Sequence, residues 1–86
     1  MLVATNPYNG QQLEGFPSLD KNQMYARIGD ASAAFTGWRA TNFAERAKVL
    51  QAVAKQLRAE KHDIAKLMAL EMGKPIKEGV PEVEKA

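Results

Sequence analysis

Gly73-Lys74 is the first place in this sequence where residue types and spacing could do chemistry. A glycine followed by lysine ends the phosphate-binding loop, whose backbone N–H groups cradle phosphates after a strand. That loop also needs a glycine five positions before Gly73 and a serine or threonine after the lysine, whereas Met68 and Pro75 stand there. We therefore interpret Lys74 as a cation facing the negative end of a helix.

The other candidates for acid–base, nucleophilic or metal chemistry are isolated from one another. His62 is the only histidine, and beyond the adjacent Asp63 it has no spaced ligand on its helix face. A solvated imidazole is therefore favoured over a metal ligand or a catalytic base. Neither Ser18 nor Ser32 has a base placed near it. The acidic group near the end is interpreted as charged helix surface rather than a metal site: Glu78, Glu82 and Glu84. We expect no catalytic, cofactor-binding or metal-binding residue in the chain.

The composition excludes several classes of function. The 86 residues are 45% hydrophobic and 26% charged, with a net charge of +2, which is typical of a soluble globular protein and too weakly basic for nucleic acid or an anionic membrane. The absence of cysteine excludes disulfides and thiolate chemistry within these residues. No signal peptide and no apolar run of the ~20 residues that span a bilayer are present. We expect a cytoplasmic location.

The elements that would position these residues begin with a β-hairpin over residues 2–17, so the fold class is mainly α with an N-terminal hairpin. Asn6, Pro7 and Asn9-Gly10 supply the turn chemistry between two β-prone runs. A first helix is predicted over 18–38, capped by Ser18 or Asp20. Apolar residues recur in it at steps of four, three, four and three, and so form one stripe along the helix: Met24, Ile28, Ala31, Phe35 and Trp38. Trp38 is interpreted as a core residue rather than a stacking platform for a ligand.

A second helix is predicted over 42–60, where Asn42 and Glu45 have the spacing of a capping box. Its apolar stripe comprises Phe43, Ala47, Leu50, Val53, Ala54 and Leu57. The pattern alone allows one bent helix over 42–72, but the polar run before Asp63 favours a break there. We expect a third helix over 63–72 that folds back on the second as an αα-hairpin. This third helix is apolar nearly all round and needs covering on several sides.

Two charges lie within these apolar arcs, Arg46 on the second helix and Glu71 on the third. A buried charge without a partner is costly. If the two helices turn back on each other, we expect Arg46 and Glu71 to meet as a partly buried ion pair with a structural role.

The end of the chain contains a helix stop and a further helical segment. Gly73 fits the left-handed position after a helix, and Pro75 prevents continuation. A fourth helix is predicted over 75–86, with Pro75 as its first residue. Because no cap or stop signal follows Lys85, we expect this element to be truncated.

Five blocks in this order give the sequence a family resemblance: Asn6-Pro7-x-x-Gly10, Phe35-x-x-Trp38, Glu45-Arg46-x-x-x-Leu50, Glu71-x-Gly73-Lys74-Pro75 and Glu82-Val83. The chain resembles the amino-terminal segment of the aldehyde dehydrogenase superfamily over residues 2–86. The run from Leu70 to Glu78 is similar to the bacterial succinate-semialdehyde dehydrogenase branch. The segment Gly79-Val80-Pro81 departs from the family pattern. Because glycine and proline disfavour helix, we expect the fourth helix to start late or to kink there.

The resemblance implies a larger α/β parent enzyme with a Rossmann-like coenzyme domain, of which residues 1–86 are an incomplete N-terminal part. It implies oxidation of an aldehyde by NAD or NADP, with a cysteine nucleophile, a glutamate that assists water and an oxyanion-hole asparagine. All of these would lie beyond Ala86, so the chain would be scaffold, inactive alone, with no cofactor of its own. The remainder of a homo-oligomeric parent would be its partner.

Two alternatives stay open from the residues alone. In the first, the chain is an independent small helical module that binds another protein through its over-apolar third helix. In the second, it is a piece of the enzyme whose exposed coenzyme-domain face makes it self-associate, exchange elements or remain partly molten.

Overall fold

The computed structural model describes all of residues 1–86 as a two-stranded antiparallel hairpin followed by four helices. The elements are β1 Leu2–Thr5, β2 Gln12–Phe16, α1 Lys21–Trp38, α2 Phe43–Ala59, α3 Lys61–Met72 and α4 Ile76–Lys85. The predicted mainly-α class with an N-terminal hairpin is confirmed.

The hairpin turn is organised by Asn6, which is one of the few buried residues of the molecule. Its side-chain oxygen accepts a hydrogen bond from the Tyr8 N–H at 2.9 Å, and its carbonyl accepts one from the Gly10 N–H at 2.8 Å. Gly10 has a φ of 72°, a left-handed conformation that glycine adopts without steric cost. Asn6 and Gly10, for which the sequence predicts a turn, therefore form the observed loop.

Both long helices begin with reciprocal side-chain caps. Asp20, not Ser18, caps α1 by accepting from the Gln23 N–H at 2.8 Å, while the Gln23 side chain accepts from the Asp20 N–H. Asn42 and Glu45 cap α2 in the same way. Each capping box satisfies two backbone donors that the helix leaves free, which explains why α1 forms although it packs substantially on no other element.

The break between α2 and α3 lies at Glu60, and the expected αα-hairpin across it is wrong. α3 begins at Lys61, two residues before the predicted start, and has no side-chain cap. Glu60 is the only residue between the two helices and has φ −103° and ψ 8°. An αα-hairpin needs a loop of two to five residues. The single-residue break bends the chain, and α2 and α3 do not pack side by side.

The helical hairpin of this molecule is instead formed by α3 and α4, which pack together more extensively than any other pair of elements. Gly73 ends α3 with a φ of 72°, and its N–H donates to the Ala69 carbonyl at 3.0 Å. Pro75 is the N-cap of α4 rather than its first residue. The loop is therefore short enough to bring the two helices into contact.

The expectation of a late start for α4 is wrong, because the helix runs from Ile76 through both Gly79 and Pro81. A Cβ atom built at Gly79 would lie 3.1 Å from the Ala65 Cβ and 3.3 Å from its Cα. Glycine is therefore present because α3 and α4 approach closely at this point, and their packing outweighs its low helix propensity.

Little of the molecule is buried. The core consists of Ala65 and Val83, with Gly79 beside them, and only 4 of the 86 residues are buried in all. The accessible surface is 7335 Å², roughly 2,300 Å² more than expected for a folded monomer of this mass. The radius of gyration is 17.4 Å, against about 12 Å for a compact domain of this length. The helices form a flat array only 13 Å thick.

We predict that Gly79→Leu opens the α3–α4 hairpin. A side chain at this position meets Ala65 directly, and overpacking costs about 1–3 kcal/mol. Hydrogen exchange of the α3 and α4 backbone amides would become faster than in the parent chain.

The matched control is Gly29→Leu, because a Cβ atom at Gly29 of α1 has no atom within 4 Å. This change should leave α3–α4 exchange as it is and should increase α1 helicity, since leucine is the better helix former. Equal exchange rates in the two variants would contradict the close approach at Gly79.

Candidate functional site

Gly73-Lys74 lies in the turn between α3 and α4, where the Gly73 N–H and the Lys74 ammonium both have partners within the chain. The Gly73 N–H is already used in the cap of α3, and a Cβ atom at Gly73 would lie 3.3 Å from Pro7 of the hairpin turn. The Lys74 ammonium forms an ion pair with Glu82. The hydrogen bond with Glu82 raises the pKa of Lys74 above its ordinary value. The pair therefore ties the start of α4 to its middle.

A second ion pair joins the opposite end of the α3–α4 hairpin. Lys61 Nζ lies 2.7 Å from Glu84 Oε1. The hydrogen bond and the charge of Lys61 lower the pKa of Glu84, with smaller contributions from His62 and Arg58. The sequence gives no signal for this pair, because Lys61 and Glu84 are 23 positions apart and meet only when α4 folds back on α3.

The remaining sequence candidates are not brought together. His62, Ser18 and Ser32 are all exposed. No group of three or more histidine, aspartate or glutamate side chains is placed to hold a metal ion. These side chains therefore contribute no cluster from which an acid–base or metal site could be built.

The expected ion pair between Arg46 and Glu71 is absent, because α2 and α3 diverge instead of turning back on each other. The Arg46 Nε donates to the Thr41 hydroxyl at 2.9 Å. Its Nη2 donates to the carbonyls of Trp38 and Arg39, both at 3.4 Å. Arg46 thus binds the C-terminal end of α1, where cations are favoured.

Trp38 completes this α1–α2 elbow, which we define by Trp38, Arg39, Thr41 and Arg46. The Arg46 guanidinium carbon lies 5.8 Å from the centre of the Trp38 ring, within cation–π range. Trp38 itself remains 42% exposed, so its interpretation as a core residue is wrong within these 86 residues. The elbow is held by polar contacts rather than by an apolar core.

The apolar stripe of α2 is covered over one half only. Ala54 and Leu57, in the C-terminal half, are half-buried, and α4 is the element that packs on α2. In the N-terminal half and beside it, Phe43 is 85% exposed, Leu50 63% and Val53 48%. We call Phe43, Leu50 and Val53 the α2 band. It is the exposed part of a stripe whose C-terminal residues, Ala54 and Leu57, are half-buried.

The stripe of α1 is uncovered along its whole length. Its large side chains are between 42% and 59% exposed: Met24, Ile28, Phe35 and Trp38. None of the helices is both long enough and apolar enough to pass through a membrane. The molecule therefore has two exposed apolar helix surfaces, one on α1 and one on α2.

Residues 2–86 match the family model of the aldehyde dehydrogenase family. The chain belongs to this family. The resemblance inferred from its five sequence blocks is confirmed.

Individual relatives are bacterial semialdehyde dehydrogenases. The chain is 36% identical over 84 residues to the NAD(P)⁺ succinate semialdehyde dehydrogenase Sad of Escherichia coli (strain K12), covering 98% of this chain and 18% of the relative. It is 37% identical over 82 residues to the NADP⁺ succinate-semialdehyde dehydrogenase GabD of the same organism, covering 95% and 17%. It is 35% identical over 83 residues to N-succinylglutamate 5-semialdehyde dehydrogenase 1 of Caulobacter vibrioides, covering 96% and 18%. The chain thus spans less than a fifth of the length of these relatives.

We predict that Arg46→Met loosens the α1–α2 elbow. The change removes three hydrogen bonds and the contact with Trp38, and a hydrogen bond of this kind contributes about 0.5–1.5 kcal/mol. Trp38 is the only tryptophan, so its fluorescence emission reports on the elbow directly and should shift to longer wavelength. Lys48→Met is the control, because Lys48 lies on the same helix and forms no ion pair. An unchanged emission in Arg46→Met would contradict the role assigned to Arg46.

We also predict that acid weakens the α3–α4 hairpin partly through Glu84. Since the folded-state pKa of Glu84 is lowered from 4.5, its pairing with Lys61 stabilises the hairpin above that value and is lost as the pH falls through the lowered pKa. Far-UV circular dichroism between pH 7 and pH 2 would measure the loss. Glu84→Gln should give a shallower decline, whereas Glu71→Gln, which removes an unpaired carboxylate, should behave like the parent chain. Parallel curves for Glu84→Gln and the parent would exclude this contribution.

Proposed function

We propose that this chain is the N-terminal scaffold portion of an NAD(P)-dependent aldehyde dehydrogenase that oxidises an aldehyde to its carboxylic acid. Succinate semialdehyde is the proposed substrate, because two of the relatives described above are named for it. The observation that carries the proposal is the family match over residues 2–86. The cytoplasm is the proposed location, and a homo-oligomer the proposed assembly of the parent.

A scaffold role is supported by how the charged groups of the chain are used. Lys61 and Lys74 pair with glutamates of α4, and Arg46 joins two helices. Lys61 and Arg46 each join two helices, and Lys74 holds the turn before α4 against that helix. We therefore propose that the catalytic groups belong to the rest of the parent enzyme and that the chain has no dehydrogenase activity alone.

The residues of this chain do not fit the dinucleotide. A pyrophosphate is bound where a glycine-rich turn leads from a parallel strand into a helix N-terminus with free N–H groups. Here the only strands form an antiparallel hairpin, so no glycine-rich turn leads from a parallel strand into a helix. We propose that NAD or NADP is bound entirely by the remainder of the parent, and we assign none of its contacts to residues 1–86.

A second candidate function is an independent helical module that binds another protein. The apolar surfaces of α1 and α2 favour it, because exposed patches of this kind mark interaction sites. The two functions differ in whether the chain can replace the corresponding part of an active enzyme.

A graft tests the proposal. The segment of E. coli Sad that aligns with residues 2–86 would be replaced by this chain, and NAD(P)H formation from succinate semialdehyde would be measured. We expect the graft to be active, because the replaced segment supplies packing rather than chemistry. Sad without the segment should be inactive or insoluble, and the purified 86-residue chain should form no NAD(P)H.

Two variant grafts test whether the packing within this segment is needed for the activity of the enzyme. The graft with Gly79→Leu should lose activity and thermal stability together, whereas the graft with Gly29→Leu should retain more of both. A well-folded graft without activity would refute the proposed function and favour the independent module. Activity of the isolated chain would refute the scaffold role.

A further inference from the structure

Asn9-Gly10, in the turn of the N-terminal hairpin, is the only asparagine–glycine pair in the chain. The backbone nitrogen that follows an asparagine can attack its carboxamide carbon and close a five-membered succinimide ring. This attack is least hindered when the next residue is glycine, which has no Cβ atom and allows close approach of the backbone. The other asparagines each precede a bulkier residue: Asn6 precedes Pro7, Asn22 precedes Gln23 and Asn42 precedes Phe43. Asn9 is therefore the asparagine of this chain best suited to deamidation.

In the folded turn both reacting groups of this pair take part in hydrogen bonds. The Gly10 N–H, whose nitrogen is the nucleophile, donates to the Asn6 carbonyl at 2.8 Å. The Asn9 Oδ1, on the carbon that would be attacked, accepts from the Gln11 N–H at 2.9 Å, which holds the carboxamide in one orientation. Ring closure needs the Gly10 nitrogen without its proton, so the bond to Asn6 must first be lost. The intact turn therefore opposes the reaction.

The turn is held together by Asn6, which is only 8% exposed. Its N–H donates to the Gln11 carbonyl at 2.8 Å, and its Oδ1 accepts from the Tyr8 N–H at 2.9 Å. Residues 7–10 are all exposed, and a hairpin of two strands is marginally stable at best. Exposed segments of this kind open locally at a small cost in free energy. The protection of Asn9 is therefore only as strong as the bonds around Asn6.

We propose that Asn9 is a site of deamidation and that the turn around Asn6 gates the reaction. When the turn opens, the deprotonated Gly10 nitrogen attacks the Asn9 Cγ and forms a new N–Cγ bond. The Cγ–Nδ2 bond breaks, and ammonia leaves with the proton that the Gly10 nitrogen lost. Solvent water then adds to either succinimide carbonyl and opens the ring, which leaves aspartate or isoaspartate at position 9. One amide becomes one carboxylate, so the net charge falls by one from +2.

The two products affect the hairpin differently. Aspartate at position 9 retains a side-chain oxygen for the Gln11 N–H, so the turn can form again. Isoaspartate places the Cβ atom of residue 9 in the main chain, which adds one atom to the path from Asn6 to Gly10 and displaces the Gly10 N–H from its acceptor. Pro7 of this turn lies against the α3–α4 turn, since a Cβ atom at Gly73 would be 3.3 Å from it. Isoaspartate therefore loosens the contact between the two turns.

Peptide mass spectrometry of the purified chain, incubated at mildly alkaline pH, tests the site. Asn9 should deamidate to both products, whereas Asn22 and Asn42 should remain amides over the same time. In urea, where the turn is open, Asn9 should react about tenfold faster than in the folded chain, the ratio expected when closing the turn gains one or two net hydrogen bonds.

Asn6→Ala tests the gate, because it removes the acceptor of the Tyr8 N–H. The rate at Asn9 should rise towards the rate in urea while far-UV circular dichroism shows that the helices persist. Asn22→Ala is the matched control, since Asn22 lies on α1, and it should leave the rate at Asn9 as in the parent chain. Asn9→Gln should give no product at position 9, because glutamine would have to close a six-membered ring.

Each part of the inference has an outcome that contradicts it. Deamidation of Asn22 or Asn42 as fast as that of Asn9 would overturn the site. Equal rates at Asn9 in the folded chain and in urea, or in Asn6→Ala and Asn22→Ala, would overturn the gate. Hydrogen exchange of the Tyr8 and Gly10 amides should be faster in the purified isoaspartate product, and unchanged exchange would overturn the effect on the hairpin. None of these measurements uses dehydrogenase activity, so their results are independent of the proposed function.

Discussion

The close approach of α3 and α4 at Gly79 and Ala65 is the contact on which the rest of this structure depends. It is the only place where helix packs against helix over a substantial area, and it contains the two buried apolar residues, Ala65 and Val83. Lys61, at the start of α3, pairs with Glu84 of α4, and Lys74, in the turn between the helices, pairs with Glu82 of α4. Because such exposed ion pairs contribute little by themselves, the contact between small residues is what holds the two helices together.

Local structure follows closely from the sequence where short-range chemistry decides it. The Asn6–Gly10 turn, the two capping boxes and the left-handed Gly73 each depend on residues within a few positions of one another. The assignment of the chain to a family was equally accessible, because it depends on the order and spacing of short blocks. No knowledge of the tertiary contacts was needed for any of these.

The predictions that depended on contacts between residues far apart in the sequence were wrong. The αα-hairpin between α2 and α3 and the Arg46–Glu71 pair both assumed that the break near Asp63 reverses the chain, whereas the one-residue break at Glu60 cannot. Gly79 suggested a late or kinked helix because the low helix propensity of glycine can be inferred from the sequence, whereas its contact with Ala65 cannot. Trp38 suggested a core because an apolar stripe shows that a surface is to be covered, without showing what covers it.

The elbow held by Arg46 has a consequence for how the molecule joins other structure. α1 has no apolar support from the rest of the chain, yet its direction relative to α2 is set by the contacts of one guanidinium with Thr41, Trp38 and Arg39. A surface whose two helices are already oriented loses less conformational freedom when a partner arrives. Arg46 therefore preorganises the angle between α1 and α2, which would lower the entropic cost of any assembly made through these two helices.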